Sequence, residues 1–450
     1  MRIAFTTLGC KINQFETDAL QREFLSRGSA IVPFDAEADV YIINTCSVTE
    51  KSDYQSRRVI RSAIRRGNGA KVVVTGCYAA TQPEEIKKIP GVGVVIGNRE
   101  KTMIPELLMP TFRGQGSHPA LALARPAFAQ ALISAGCRLV NAGCKLVGGQ
   151  GLGKALHTKT RGFLKIQDGC DNQCSYCIVP IARGGSRSAA PREVMHAFER
   201  LVEDGCPEVV LTGIHIGAYG SDLKQSTTIT EMLKALIPSR GRTRIRLSSI
   251  EPNEITKEMI GFLGQGLCRH LHVPLQSGDD AILGSMKRSY TSRFYLELLE
   301  NIAKQVPGTA LGADVMVGFP GEGEKEFQST MRLVEQSPLS HLHVFCYSPR
   351  PGTSAAGMRN QVPEPIKKER REALRTLGMK KNLSFRKMHL KSELKVVVED
   401  KINPDTGLLT GLTDNYIRVH IDGAKTEHIG KEVKICVKDV KEQGNFGSLL

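Results

Sequence analysis

Between Arg161 and Ser348 six short apolar runs alternate with amphipathic helical stretches, and this alternation restricts the fold more than any other feature. The runs are GFLKIQDGC, PEVVLTGIHIG, RIRLSSIEP, RHLHVPLQSG, TALGADVMVGFP and LHVFCYS. Stretches such as PREVMHAFERLVEDG, TITEMLKALIPS, YLELLENIAKQVPG and EKEFQSTMRLVEQS separate them with helical spacing. Strand followed by helix, six times over, predicts an open (βα)6 partial TIM barrel over residues 159–382, short of the full eight units. Active sites of such barrels lie at the strand exits. Polar and glycine residues gather there: Thr212 and Gly213, Ser248, Ser249 and Glu251, Gln276 to Gly278, and Gly318 to Gly321.

The first run leads into DGCDNQCSYC, which carries Cys170, Cys174 and Cys177 with C-x-x-x-C-x-x-C spacing. A structural zinc site or an ordinary iron–sulfur cluster takes a fourth cysteine. Three thiolates on a cubane leave one iron without a protein ligand, and an open iron can bind a small molecule. S-adenosylmethionine fills such a position through its amino and carboxylate groups, and an electron from the cluster then releases a deoxyadenosyl radical. A zinc knuckle with a remote fourth ligand, or purely structural cysteines, are the alternatives. Tyr176 just before the last cysteine, and the apolar strand before the loop, favour the radical reading.

The first 112 residues repeat the strand–helix logic on a smaller scale. RIAFTTLGC, ADVYIINTC, KVVVTGC and VGVVIGN read as strands, with helical patterns between them, and predict a small parallel α/β domain. Three of these strands end in cysteine, at Cys10, Cys46 and Cys77. Carboxyl ends of parallel strands share one sheet edge, so the three thiols are expected to converge there as ligands rather than to be buried as small apolar side chains.

Residues 113–158 are rich in Ala and Gly, hold Cys137 and Cys144, and read as an atypical linker or insertion. From 383 onward, ELKVVVED, GLLTGLTDNYIRVHID and KEVKICVKDV alternate like antiparallel strands and predict a small β-barrel. Net charge is +15, which points to a polyanion, nucleic acid being the usual one. RRVIRSAIRR, from Arg57 to Arg66, carries five arginines and no acid. No apolar run reaches the roughly 18 residues of a membrane span, and the start turns polar too soon for a secretory signal. The chain is therefore expected to be cytoplasmic, where its 12 cysteines stay reduced.

GCDNQCSYCIVPIARG resembles the signature of the radical SAM methylthiotransferase family. TLGCKINQFET, NTCSVT and TGCYA are similar to its N-terminal cysteine motifs; LSSIEP, HVPLQSGDDAILGSMKRSYT, VGFPGE and YSPRPGT are similar to its barrel motifs. The resemblance covers nearly the whole chain and makes the tail a TRAM-like barrel. It implies two [4Fe-4S] clusters. One, on Cys170, Cys174 and Cys177, would bind S-adenosylmethionine, with Tyr176, Thr212, Gly213, Ser249, Glu251 and Gln276 as candidate contacts. The other, on Cys10, Cys46 and Cys77, would keep an open iron for the sulfur to be inserted.

The opening motif is closest to the branch acting on threonylcarbamoyladenosine at adenosine 37 of tRNA. The branches that act on isopentenyladenosine or on a ribosomal protein are the alternatives. A tRNA, an electron donor such as flavodoxin or ferredoxin, and a sulfur source are the implied partners, with no membrane. Arg183, Arg187 and Arg246, near expected strand exits, are candidates for meeting the threonylcarbamoyl carboxylate. An electron-transfer iron–sulfur protein would need neither six βα units nor a third domain. A non-catalytic RNA-binding protein would not need two cysteine triads.

Overall fold

The computed structural model describes residues 1–67, 69–109 and 160–450. The expected linker at 113–158, with Cys137 and Cys144, lies outside the described residues.

The N-terminal domain is a five-stranded parallel sheet with strands β1 (Arg2–Thr7), β2 (Ala30–Val32), β3 (Val40–Thr45), β4 (Lys71–Gly76) and β5 (Val94–Ile96), in the order β2-β1-β3-β4-β5. Helices α1 (Lys11–Ser26), α2 (Glu50–Arg66), α3 (Cys77–Thr81), α4 (Pro83–Lys87) and α5 (Ile104–Leu108) connect or follow them. All six residues of β3 are buried, as a central parallel strand covered on both faces requires. The edge strand β2 is three residues long and was not apparent as a periodic run, because its length shows no period. The strands that end in cysteine, β1, β3 and β4, are adjacent. The cysteine positions therefore share one sheet edge.

All six expected barrel strands form: β6 (Gly162–Lys165), β9 (Glu208–Thr212), β10 (Arg244–Leu247), β11 (His270–His272), β12 (Ala310–Val317) and β13 (His341–Cys346). They fall into two hydrogen-bonded parallel sheets, β10-β9-β6 and β11-β12-β13. The seam between them is bridged where Cys268 N donates to Ile245 O and Ile250 N to His272 O. A two-residue ribbon of β7 (Gln167–Asp168) and β8 (Arg187–Ser188) flanks the cysteine loop. The helices are α6 (Val179–Arg183), α7 (Pro191–Glu203), α8 (Ile229–Ser239), α9 (Lys257–Phe262), α10 (Asp280–Ser285), α11 (Ser292–Gln305), α12 (Glu324–Gln336) and α13 (Glu364–Lys387). A single apolar core joins strands to helices, with Leu211, Ile245, Leu247, Leu271 and Val315 packed on Val194, Leu233, Leu299 and Val334. Helix α13 crosses the boundary expected at 383 and ends only at Lys387.

The tail is a closed barrel of β14 (Glu393–Ile402), β15 (Leu409–Thr413), β16 (Arg418–Asp422), β18 (Gly444–Leu449) and β17 (Glu432–Lys441). It departs from the all-antiparallel expectation at one seam, since β16 and β18 pair in parallel to close it. Its β15–β16 loop plugs the strand-start end of the larger barrel. Arg244 donates to Leu412 O (2.9 Å), and Arg246 to Thr413 O and Asp414 O (both 3.0 Å). Tyr416 stacks on His270 with ring centres 4.2 Å apart. Glu208 lies beneath, fully buried, and accepts from both arginines. Arg246 is thus consumed by structure at the end opposite the strand exits, and the expectation that it meets substrate is corrected.

Burial pushes the Glu208 carboxyl up, but Arg246, Arg244 and Arg161 outweigh it and hold the group down at about 2, from 4.5. Its stabilisation is complete above about pH 4.5 and fades as pH falls toward 2. Glu208→Gln should cost roughly 3 kcal/mol at neutral pH, because two buried arginines lose their counter-charge. The variant should also lack this part of the acid limb, which thermal unfolding between pH 3 and 7 measures.

Candidate active site

Each triad is set by glycine–cysteine pairs. Gly9 has φ +96°, and a Cβ there would stand 2.8 Å from Cys46 Sγ, so only glycine lets Cys10 turn beside Cys46. Gly169 has φ +76° and a Cβ would meet Gly185 O at 2.0 Å. Cys10 caps α1 without using its side chain, Cys46 follows β3, and Cys77 opens α3. Cys46 and Cys77 are buried whereas Cys10 is exposed. Asn98 Nδ2 donates to Cys77 Sγ at 3.5 Å and to Ala182 O at 3.0 Å, which ties this triad to the barrel. Burial raises the Cys46 thiol; a hydrogen bond from the Val48 backbone opposes it, and the neighbouring thiols Cys77 and Cys10 add smaller upward pushes.

The second triad lines a cavity of about 240 Å³ at the barrel strand exits. Cys170, Cys174 and Cys177 form one wall, and Tyr347, Ser348 and the β13 exit form another. Val48 and Thr49, just past Cys46, reach over from the N-terminal domain. Of the six residues anticipated as contacts, Tyr176, Glu251 and Gln276 line the cavity. Thr212, Gly213 and Ser249 do not. Thr212 is buried with its carbonyl accepting from Ile166 N, Gly213 abuts Gln167, and Ser249 faces solvent.

Two cavity residues were missed. Arg288 is ion-paired to Glu251 and donates to Cys174 Sγ at 3.3 Å. His215 places Nδ1 3.5 Å from Cys170 Sγ and Nε2 2.5 Å from Glu254 Oε1. Burial opposes its charge, yet the bonds to Cys170 and Glu254 carry it up to about 10. Both stand inside motifs quoted from the sequence, GIHIG and GSMKRSYT, but their partners are distant in the chain and leave no local trace.

Two ion-pair clusters add to this docking of the domains. Glu16 on α1 binds Lys101 (2.5 Å), Lys165 (2.8 Å) and Arg183 (2.8 Å). Arg183 also pairs with Asp168 (2.9 Å) and donates to Asn13 Oδ1 (2.6 Å). Burial disfavours the Glu16 charge, but the three cations hold its carboxyl well below the usual range. Arg183 is therefore a structural hub, and the expectation from sequence that it meets the substrate carboxylate is corrected. Arg187 stays half-exposed, 3.4 Å from Asp168, and also stands off the cavity. At the second contact, Arg350 pairs with Asp53 and bonds Ser47, and Ser348 Oγ accepts from Glu50 N at 3.1 Å.

The cavity suits a three-thiolate cluster and a small zwitterion. Gln276 Oε1 is buried there without a partner, Glu251 and Arg288 offer both charges, and three thiols face one space. Burial pushes the Cys177 thiol up to about 12, so a metal must displace its proton on binding. Among the described residues no three His, Cys, Asp or Glu side chains are placed to share one metal ion.

The sequence matches three family descriptions in turn: "Uncharacterized protein family UPF0004" over residues 2–97, the radical SAM superfamily over 164–334 and the TRAM domain over 390–450. A threonylcarbamoyladenosine tRNA methylthiotransferase of Bacillus subtilis is 38% identical, covering 97% of this chain and 93% of its own. The chain belongs to the radical SAM tRNA methylthiotransferases. An Aquifex aeolicus methylthiotransferase of the same name is 35% identical over 97% of this chain and all of its own. A Desulfitobacterium hafniense relative, named tRNA-2-methylthio-N(6)-dimethylallyladenosine synthase, is 31% identical over 99% of this chain and 97% of its own. A solved radical SAM methyltransferase from Kitasatospora setae, with cobalamin and a [4Fe-4S] cluster bound, has a TM-score of 0.56 at 16% identity. It covers 79% of this chain and 74% of its own, and shares the fold. As a radical SAM methylthiotransferase, the chain works with S-adenosylmethionine and [4Fe-4S] clusters.

Cys174→Ala should abolish deoxyadenosine formation under dithionite in anaerobically reconstituted protein. Cys46→Ala should lose one cluster by iron and sulfide analysis yet keep some S-adenosylmethionine cleavage. A full iron complement in the second variant would remove Cys46 from the ligand set.

Proposed function

We propose that this methylthiotransferase converts threonylcarbamoyladenosine at adenosine 37 of tRNA to its 2-methylthio derivative. The carrying observation is the cavity itself: Cys170, Cys174 and Cys177 line it together with Val48 and Thr49, the segment that follows Cys46, so the chain next to one triad borders the space that the other lines. An aromatic C–H has no leaving group, and a cluster with S-adenosylmethionine supplies the radical chemistry that replaces it. Cys170, Cys174 and Cys177 would hold one cluster, and Cys10, Cys46 and Cys77 the other. Glu251, Arg288 and Gln276 orient the amino acid end of S-adenosylmethionine. Tyr176, Phe345 and Met316 exclude water from the cavity walls.

The relatives at 32–38% identity named for threonylcarbamoyladenosine favour that substrate over isopentenyladenosine. The rim supports the same choice, because the hydroxyls of Thr49 and Ser348 suit an anionic, hydrogen-bonding arm better than a bare alkenyl group. No helix among the described residues is long and apolar enough to cross a membrane. The reaction calls for a low-potential electron donor of the flavodoxin or ferredoxin kind and for a sulfur source, both met in the cytoplasm.

Nucleoside mass spectrometry of tRNA from cells lacking the gene should show loss of the methylthio form of threonylcarbamoyladenosine, with the isopentenyl form intact. The wild-type gene should restore it, and the Cys46→Ala or Cys174→Ala gene should not. Loss of the isopentenyl form instead would move the chain to the other branch.

A further inference from the structure

Helix α2 begins at the cavity rim, where Thr49 both lines the cavity and caps the helix by accepting from Ser52 N. Its solvent face carries Tyr54, Arg58, Arg61 and Arg65, three or four residues apart and so in one stripe. Tyr54 is 60% exposed, which is unusual for a large ring beside arginines. Among the described residues, none of the three arginines is in an ion pair. Arg61 also borders an open notch of about 310 Å³ with Arg57, Lys88 and Glu85. Glu85 there is engaged by the Tyr78 hydroxyl (2.8 Å) and lies 3.9 Å from Arg57, so the notch keeps a cationic excess. A helix C-terminus favours basic residues, which accounts for Arg65 and Arg66 but not for Arg58, Arg61 or the exposed ring.

We propose that this face of α2 is the track on which the anticodon arm of the tRNA docks, with Tyr54 stacking a base beside the target and the arginines contacting phosphates. The proposal rests on the substrate reading above. A base must leave its stack to enter the cavity, and its neighbour then offers a free face to an aromatic ring near the rim. Tyr54 stands just over one turn from Thr49, and the stripe from Tyr54 to Arg65 runs about 16 Å away from the cavity. Unpaired arginines along that line match a phosphate backbone in charge and repeat. An acidic reductase would also be drawn to the charge, but it has no use for an exposed ring at the rim.

The test uses the full-length, reconstituted enzyme and a transcript of a tRNA that reads codons beginning with A. Arg58→Gln/Arg61→Gln/Arg65→Gln should weaken binding more than roughly ten-fold near physiological salt and flatten the slope of log Kd against log salt by about two. Tyr54→Ala should lose roughly ten-fold, and Tyr54→Phe should restore wild-type affinity. Iron content and dithionite-driven S-adenosylmethionine cleavage without tRNA should stay at wild-type levels in all three. Failure of the wild-type enzyme to bind tRNA would overturn the substrate reading. Tight wild-type binding with equal affinity in the triple variant would overturn the track alone. Unchanged tRNA affinity with lost reduction by flavodoxin would give the face to a reductase and overturn the proposal.

Discussion

The arrangement of this enzyme depends on one buried carboxylate. Glu16 sits on the helix that starts at Cys10 and binds Lys165 and Arg183, which flank the loop of Cys170, Cys174 and Cys177 in the chain. A lone carboxylate in that position would cost several kcal/mol; three cations make it tenable, and Asn13 holds one of them, Arg183, in place. Because charges buried so deeply tolerate little displacement, the pairings fix how the N-terminal sheet edge faces the barrel mouth. Asp168, two residues before Cys170, shares Arg183 and Lys165 with Glu16. The same cations therefore hold the cysteine loop and the domain interface, and neither can shift alone.

Docked in this way, the two domains enclose a space that neither forms alone. The barrel contributes the thiols, Glu251, Arg288 and Gln276, and the N-terminal domain contributes the lid of Val48 and Thr49. The Arg350–Asp53 pair, with Ser47, anchors that segment to the barrel. Charged groups inside are matched: Arg288 to Glu251, His215 to Glu254. The neutral Gln276 Oε1 has no partner among the described residues, and an unpaired buried acceptor is costly unless a ligand completes it.

Much of this was legible in the sequence, and the failures share a cause. Periodicity located every barrel strand, and the cysteines ending three N-terminal strands do fall at one sheet edge, because both signals are local. Half of the residues anticipated as contacts at the strand exits lie at the cavity. Tyr176, Glu251 and Gln276 reach the cavity, but Thr212 and Gly213 turn into the barrel wall. The arginines misled most. Arg183 finds Glu16 across 167 residues and Arg246 finds Thr413 across another 167, and no pattern in the intervening chain announces such a pairing. His215 and Arg288 were overlooked for the same reason.

The C-terminal barrel looks from the sequence like an appended cassette, yet its β15–β16 loop is the floor of the larger barrel. The carbonyls of Leu412 and Thr413 at the end of β15 and of Asp414 in the loop complete the coordination of two buried arginines, and Asp414 clasps Arg269 through both carboxylate oxygens. Such carbonyl contacts depend on loop shape more than on side-chain identity, so sequence drift within the loop is tolerated while a change in its length is not. Recombination between relatives at this junction would thus be constrained less by the chemistry of either module than by whether stopper and bottle were made to one gauge.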